Sequence, residues 1–265
     1  MEAPRKDIID LIEQTPDDYH FSTSKYFGRG FEICNQFLMG FIFYTLIYVL
    51  ISSLVGVIPF VGEYINQIVV NPVLIIGISI LAKKISKREA YSFDNFWNGF
   101  NYLKELALAA LIQYIAFQII MAPLWLSGDL GVYQEWLSEW QIAPGTITDF
   151  PNFSWWYLAL FIPIIYLSVC WMYASLFIVF YQLSAWEALE ASRKIIAQRW
   201  WMYAGFFLLA GILAVLGALF LGIGMLYTMP VAICVVYASF EDVMRFYVTD
   251  EDEDDLLNHL IDNAF

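Results

Sequence analysis

Charged residues are scarce in this chain of 265 residues. They make up 15% of it, whereas 60% of the residues are hydrophobic and 18% are aromatic. A soluble domain has about 25% charged and about 45–50% apolar residues. The apolar residues here also cluster in runs of the length needed to cross the hydrocarbon core of a bilayer, about 20 residues. The composition therefore excludes an ordinary soluble domain and predicts an integral membrane protein.

Histidine and cysteine are equally sparse. The two histidines, His20 and His259, lie in opposite tails, which argues against a His-based metal site or a Ser–His–Asp arrangement within the membrane. The three cysteines, Cys34, Cys170 and Cys234, are odd in number and match no metal-binding spacing, so we interpret them as small buried hydrophobes. We expect no cofactor and no metal.

Ionisable residues are missing from the apolar runs themselves. The runs predict six spans, at residues 33–58, 65–82, 106–126, 157–180, 202–221 and 225–239, and none contains Asp, Glu, Lys, Arg or His. Coupled transport usually needs such groups at membrane depth. The predicted fold is an all-α six-helix transmembrane bundle over residues 23–248. An acidic N-terminal tail (residues 1–22) precedes it, and an acidic C-terminal tail (residues 249–265) follows.

Lys and Arg are absent from every second connection. Around residues 61–67 and 127–154 there is none, and all thirteen fall in the tails or the other connections. Cytoplasmic loops are enriched in Lys and Arg, which predicts an integral membrane protein with both termini in the cytoplasm. The basic residues are expected to form a cationic collar that contacts anionic lipid or a partner protein. The candidate contacts are Lys83, Lys84, Lys87, Arg88, Arg193, Lys194 and Arg199.

Both tails carry clustered negative charge, which argues against nucleic acid as a partner. Residues 250–255 are six consecutive acidic residues, and Leu256, Leu257, Leu260 and Ile261 follow them on one helical face. Such a run is usually a solvated terminus. The alternative is a short amphipathic helix that docks on a basic partner.

The longest connection without basic residues, residues 127–155, has helical periodicity. Val132, Tyr133, Trp136, Leu137 and Trp140 would share one face, as in an amphipathic helix on the outer membrane surface. The simpler interpretation is a loop helix that covers neighbouring helix ends. The other is a lid.

A weak threefold pattern precedes the outgoing spans. A hydroxyl residue is followed four positions later by a hydrophobic or small residue and seven positions later by Gly or Ala, as in Thr23, Phe27 and Gly30; Ser92, Phe96 and Gly99; and Ser184, Ala188 and Ala191. Ser184 and Glu187 have the spacing of a capping box, which marks a helix start. The pattern predicts three cytoplasmic interfacial helices, each leading into a hairpin of two spans. Such repeats build sites in transporters, and they also arise by simple duplication.

Two of these segments carry a family resemblance. Residues 184–192 (SAWEALEAS) and 26–33 (YFGRGFEI), together with Pro230 and residues 237–242 (YASFED), resemble motifs of a poorly characterised group of bacterial six-span proteins. That group is similar to the membrane domain fused to some glycerophosphodiester phosphodiesterases. The resemblance covers most of residues 20–245 and implies an architecture but no activity, because the phosphodiesterase catalytic domain is absent from this chain.

Asn66, Gln67 and Asn71 form a candidate polar patch near one end of the second run. Polar side chains at membrane depth usually make interhelical hydrogen bonds. The functional alternative is a contact for a lipid headgroup or a partner helix.

The sequence favours a non-enzymatic membrane protein that acts through protein or lipid contacts, with an accessory subunit of a larger complex as its narrower form. The rival is a transporter or channel for an uncharged or lipidic substrate, which Pro123 and Pro163 within spans would favour. A third and more distant hypothesis is an enzyme that uses the carboxylates at the cytoplasmic rim, Glu32, Glu105 and Glu241.

Overall fold

The computed structural model describes residues 21–127, 135, 136, 138, 155–219 and 222–247. Within those residues the chain is helical and contains no strand. Six helical stretches are long and apolar enough to cross a membrane, which confirms the predicted number and is compatible with a multi-pass membrane protein. They are Leu38–Gly56, Gly62–Ser86, Phe93–Leu126, Tyr157–Tyr181, Trp200–Leu219 and Met225–Arg245.

The individual helices subdivide these stretches. In chain order they are Thr23–Gln36, Leu38–Gly56, Gly62–Ile65, the π-helix Asn66–Val70, Asn71–Ser86, the 3-10 helix Phe93–Tyr102, Leu103–Leu126, Tyr157–Cys170, Ala174–Tyr181, Ala185–Gln198, Trp200–Leu216, the 3-10 helix Gly217–Leu219 and Met225–Tyr247. We call Thr23–Gln36, Phe93–Tyr102 and Ala185–Gln198 the first, second and third lead helices, because each leads into the apolar helix that follows it. The spans are numbered one to six.

The first lead helix and the first span are separate helices, although the sequence suggested a span from residue 33. The first lead helix ends at Gln36, and Phe37 is non-helical with φ −136°. A Cβ on Gly40 would lie 1.9 Å from the Phe37 ring, so the ring occupies the space that the glycine leaves free. The chain therefore turns at Phe37, and the span begins at Leu38.

The sixth span continues beyond the predicted end at residue 239. Its helix runs on to Tyr247 and includes two acidic residues, Glu241 and Asp242. Both carboxylates accept hydrogen bonds from side chains of other helices, Ser86 and Tyr26. Paired carboxylates do not force the helix to end, because their charge is compensated within the protein.

The turn between the fifth and sixth spans depends on glycines. Gly222 has φ +77°, and a Cβ on Gly217 would lie 2.4 Å from the carbonyl carbon of Gly224. Pro230 lies after this turn, inside the helix Met225–Tyr247.

The chain forms two compact units. The first comprises Met1–Ala110 and Val169–Phe265. In this unit the second and sixth spans are the inner ones. Of their most apolar segments, 56% and 61% are buried inside the protein, against 22% for both the first and the fifth spans. The part of the fourth span in this unit packs against the sixth through Phe177 and Phe240, whose rings lie 5.1 Å apart, and through a 2.7 Å hydrogen bond between the Tyr173 and Ser239 hydroxyls.

The second unit is Leu111–Ser168. In it the Tyr157 hydroxyl donates to Ser127 Oγ at 3.0 Å, and the Ser127 hydroxyl donates to the carbonyl of Leu124. These bonds join the start of the fourth span to the end of the third. Apart from a few residues, the amphipathic helix expected at residues 127–155 lies outside the described residues.

Candidate functional site

Two lead helices begin at the predicted serines. Glu187 Oε2 accepts a hydrogen bond from the Ser184 backbone N–H at 3.0 Å, and Asn95 Oδ1 accepts one from the Ser92 backbone N–H at 2.8 Å. Both are capping boxes, which satisfy donors that a helix start would otherwise leave unpaired. The first lead helix has Ser22 as its N-cap, one residue before the expected Thr23.

Each lead helix places a small residue against the backbone of a returning span. A Cβ on Gly30 would lie 2.7 Å from the backbone nitrogen of Val235, and one on Gly99 would lie 2.4 Å from the carbonyl oxygen of Val73. In the third lead helix, Ser192 Oγ donates to the carbonyl of Cys170 at 2.6 Å. Such close approach requires small side chains, so these helices are fixed to the second, fourth and sixth spans.

A network around Glu241 joins three elements at one end of the first unit. Both carboxylate oxygens of Glu241 accept from Ser86 Oγ at 2.8 Å, and Oε1 also accepts from the Tyr237 hydroxyl at 3.2 Å. The Arg29 guanidinium donates to Ser86 Oγ at 3.0 Å, and Arg245 lies 3.8 Å from the carboxylate. The Glu241 side chain is only 14% exposed. The sixth span, the end of the second span and the first lead helix therefore meet here.

Asp242 makes a second connection at the same end. Its carboxylate accepts from the Tyr26 hydroxyl at 2.9 Å and pairs with the Lys25 ammonium. The start of the first lead helix is thus held next to the end of the sixth span. Because these two elements are the first and the last described helices, the two ends of the membrane domain are neighbours.

The basic cluster after the second span lies directly beside this network. Lys83 is positioned with its ammonium 4.6 Å from the centre of the Phe180 ring, a cation–π contact with the fourth span. Lys84 lies 3.7 Å from Glu89. Lys87 and Arg88 are exposed, and Arg88 has φ 57°, which ends the helix. Four of the predicted collar residues therefore form one surface.

Arg193, Lys194 and Arg199, the remaining predicted collar residues, belong to the third lead helix or its end. Arg193 is bidentate to Glu190, with bonds of 2.8 and 2.6 Å. The hydrogen bonds from Arg193 lower the pKa of Glu190, and partial desolvation opposes them. Lys194 is half-buried, and Arg199 is the N-cap of the helix that begins at Trp200.

The three rim carboxylates proposed for an enzyme all have structural partners. Glu241 binds Ser86 as described, and Glu32 pairs with Arg29 at 2.8 Å. Glu105 Oε2 accepts from the backbone N–H of Ala185 at 3.0 Å, so it caps the third lead helix from a distance of 80 residues along the chain. Glu241 and Glu105 therefore hold helix ends, whereas the exposed Glu32 pairs within its own helix.

The predicted polar patch is divided by the structure. Asn66 is buried and its Nδ2 donates to the carbonyl of Ser52 at 2.7 Å, whereas Asn71 Oδ1 accepts from the Tyr48 hydroxyl at 3.1 Å and from Ser52 Oγ at 3.4 Å. Gln67 is exposed. Asn66 and Asn71 therefore face the first span together, and Gln67 does not join them.

Some participants were not predictable as site residues. Ser86, Ser52 and Tyr48 are ordinary polar residues of apolar helices, and partners distant in the chain give them a role, whereas Tyr237 bonds to Glu241 one turn along the same helix. The tail residues Leu256, Leu257, Leu260 and Ile261 lie outside the described residues. In the part of the chain that the structure describes, no three His, Cys, Asp or Glu side chains are grouped so that they could hold a metal ion.

No family model, no curated protein and no solved structure matches the chain. The resemblance to the bacterial six-span group therefore stays a prediction.

Proposed function

We propose that this chain is a non-enzymatic, multi-pass protein of the bacterial inner membrane that acts through the lipid and protein contacts of a cytoplasmic basic collar. We define the collar by Lys83, Lys84, Lys87 and Arg88, with Lys25, Arg29 and Arg245 beside them. Basic residues next to a membrane attract anionic headgroups, and each contributes about 1 kcal/mol.

The observation that carries the proposal is the convergence of the basic segments at one end of the first unit. Arg29 bonds to Ser86, Ser86 bonds to Glu241, and Arg245 follows Glu241 by one helical turn. Arg29 and Arg245, far apart in sequence, thus lie near one carboxylate, next to the basic residues that flank Ser86. The network fixes the position of the cations and leaves the outer members of the collar, Lys87 and Arg88, exposed.

The same contacts support a cytoplasmic position for both termini. Lys25 and Asp242 form an ion pair, so the chain enters and leaves the membrane domain at the collar end. An even number of spans requires such an arrangement. The positive-inside rule assigns that end to the cytoplasm.

A threefold repeat of lead helix and hairpin forms part of the proposal. The lead-helix contacts at Val73, Cys170 and Val235 lie 13, 11 and 12 residues before Ser86, Tyr181 and Tyr247, where the corresponding helices end. The second lead helix contacts the second span, and the third lead helix contacts the fourth span. In the same way, the first lead helix contacts the sixth span. In the proposed repeat, each lead helix therefore packs on an even-numbered span.

The transporter alternative has less support. A substrate path between repeats would run along the returning spans, yet there Tyr173, Phe177, Ser239 and Phe240 pack directly against one another and are buried. Direct packing of this kind favours a protein that presents surfaces over one that conducts.

Lipid retention tests the collar. We expect the purified protein, offered phosphatidylglycerol and phosphatidylcholine with matched acyl chains, to retain phosphatidylglycerol preferentially in native mass spectrometry. Exchange of Lys83, Lys84, Lys87 and Arg88 for Gln should reduce that preference at least about tenfold, because four cations are removed. The matched control exchanges Lys for Arg and Arg for Lys at the same positions, and it should retain the preference. Equal retention by the Gln variant and the control would contradict the role of the collar.

Affinity purification tests the accessory-subunit form of the proposal. A partner should co-purify from gently solubilised native membranes with the charge-conserving control and be depleted with the Gln variant. Recovery of this polypeptide alone in several detergents would remove the basis for a stable complex.

A further inference from the structure

The helix of the sixth span ends beside the collar. Its last residue is Tyr247, and one and a half turns earlier Glu241 accepts a hydrogen bond from Ser86 Oγ at the end of the second span. Lys87 and Arg88 follow Ser86 directly and are exposed. The helix rises by only about 9 Å between Glu241 and Tyr247. Tyr247 therefore lies a short distance from the collar, in the same compact unit.

A run of negative charge begins three residues after that helix. Residues 250–255 are all Asp or Glu, and no Lys or Arg follows Arg245 in the sequence. An extended chain advances by at most about 3.5 Å per residue, so Asp250 can lie up to about 10 Å from Tyr247 and Asp255 up to about 28 Å. The connection is therefore long enough for the acidic run to reach the collar and too short to carry its first residues far away.

The collar offers accessible positive charge to such a run. It has seven basic residues, and the described carboxylates that pair with them are Glu32, Glu89, Glu241 and Asp242. Even the paired cations stay accessible, because the Lys25 and Arg245 side chains are 64% and 72% exposed. Individual exposed ion pairs are weak. A short tether raises the effective concentration of one partner at the other to about millimolar, so several weak pairs can act together.

We propose that the acidic run at residues 250–255 binds the collar of its own chain and competes there with anionic lipid headgroups. The inference rests on the proposed function of the collar and adds the segment that limits access to it. Carboxylates and headgroup phosphates are both anionic, so they attract the same cations and repel each other. An anionic headgroup must therefore displace the acidic run, which lowers the apparent affinity of the collar for lipid.

Cross-linking with a carbodiimide tests the contact without lipid. The reagent joins a carboxylate and an ammonium group as an amide when the two touch. Trypsin releases the acidic run within a single peptide, since no Lys or Arg follows Arg245. In neutral detergent at low salt, we expect this peptide to be joined to Lys83, Lys84 or Lys87. Lys104, which is 91% exposed and lies outside the collar, should be joined at least about fivefold less often. Equal yields at Lys104 and at the collar would overturn the inference. Links formed mainly between isotopically distinct copies of the chain would do the same.

Lipid retention tests the competition. Exchange of every Asp for Asn and every Glu for Gln at residues 250–255 should raise the preference for phosphatidylglycerol over phosphatidylcholine at least about threefold. The gain should vanish when the collar also carries its four Gln substitutions. A matched control makes the same exchanges at six acidic residues of the N-terminal tail, which are Glu2, Asp7, Asp10, Glu13, Asp17 and Asp18. It changes the net charge by the same amount, and it should raise the preference less, because these residues are dispersed and Arg5 and Lys6 lie among them.

The outcomes separate this inference from the proposed function. If the unaltered protein prefers phosphatidylglycerol and neutralisation of residues 250–255 leaves that preference unchanged, the inference is overturned and the collar stands. An equal gain in both tail variants also overturns it, because net charge alone would then account for the gain. If no variant prefers phosphatidylglycerol, the proposed function of the collar fails, and the cross-link still decides whether the acidic run contacts the collar.

Discussion

The contact between the first lead helix and the sixth span can be tested by adding a single methyl group. A Cβ on Gly30 would lie 2.4 Å from Val235 Cγ2 and 2.7 Å from the Val235 backbone, whereas a Cβ on Gly28 would meet nothing within 4 Å. Carbon atoms pack at about 3.5–4.0 Å. Gly30→Ala must therefore move the lead helix away from the sixth span by roughly 1 Å, and Gly28→Ala requires no movement.

The paired variants separate packing from helix propensity. Both gain about 0.5–1 kcal/mol, because Ala loses less backbone entropy than Gly on forming a helix. That gain cancels in the comparison and leaves the overpacking cost of about 1–3 kcal/mol at Gly30. We expect Gly28→Ala to be as stable as the unaltered protein or more stable. Gly30→Ala should be less stable than Gly28→Ala by about 2 kcal/mol.

Equilibrium unfolding in mixed micelles measures this difference. Hydrogen exchange of residues 23–36 then shows whether the loss is local, because a displaced lead helix should exchange faster in Gly30→Ala than in Gly28→Ala. If the two variants unfold alike and exchange alike, the helix does not pack on Val235 as described.

Three further predictions follow from the polar contacts. Glu241→Ala should destabilise the protein by about 1–3 kcal/mol, because the Ser86 and Tyr237 hydroxyls lose their acceptor. Glu32 is exposed, so Glu32→Ala should cost less than about 1 kcal/mol. Equal unfolding free energies of the two variants would contradict the network around Glu241. Ser184→Ala should cost about 1 kcal/mol through loss of the capping box and should speed hydrogen exchange at the start of the third lead helix; unchanged exchange would contradict this. Because the folded pKa of Glu190 is lowered, its pairing with Arg193 should stabilise the protein above the unfolded pKa, and that contribution should disappear as pH falls through the folded value. The pair is partly exposed, so its contribution is small. Between pH 6 and pH 3, Glu190→Gln should lose less unfolding free energy than the unaltered protein, by only a few tenths of a kcal/mol. The difference should be smaller in high salt.

Local signals in the sequence predicted the elements of the fold. Length and composition alone identify the six apolar runs in the sequence. Each run corresponds to a helix that is long and apolar enough to span a membrane. The N-caps at Ser92 and Ser184 were also predictable, because a capping box involves residues three apart. The turn at Phe37 was not predicted, since it depends on the ring of one residue filling the space above Gly40.

The sites depend on contacts that periodicity does not reveal. Ser86 and Glu241 are separated by 155 positions, and nothing near either residue in the sequence indicates the other. Asn66 and Asn71 would point in different directions on an α-helix, and only the π turn brings them together. Gln67 was grouped with them because of its position in the sequence, and the structure places it on the exposed face.

Labelling of single cysteines in intact cells tests the cytoplasmic position of the basic collar most directly. With Cys34, Cys170 and Cys234 replaced, one cysteine is introduced at Arg88 in the collar or at Phe60, which is 95% exposed between the first and second spans. A membrane-impermeant maleimide should label Phe60→Cys in cells whose outer membrane alone has been permeabilised. It should label Arg88→Cys only after the inner membrane is opened. Labelling of Arg88→Cys from outside the inner membrane would contradict the cytoplasmic collar and the lipid contacts proposed for it.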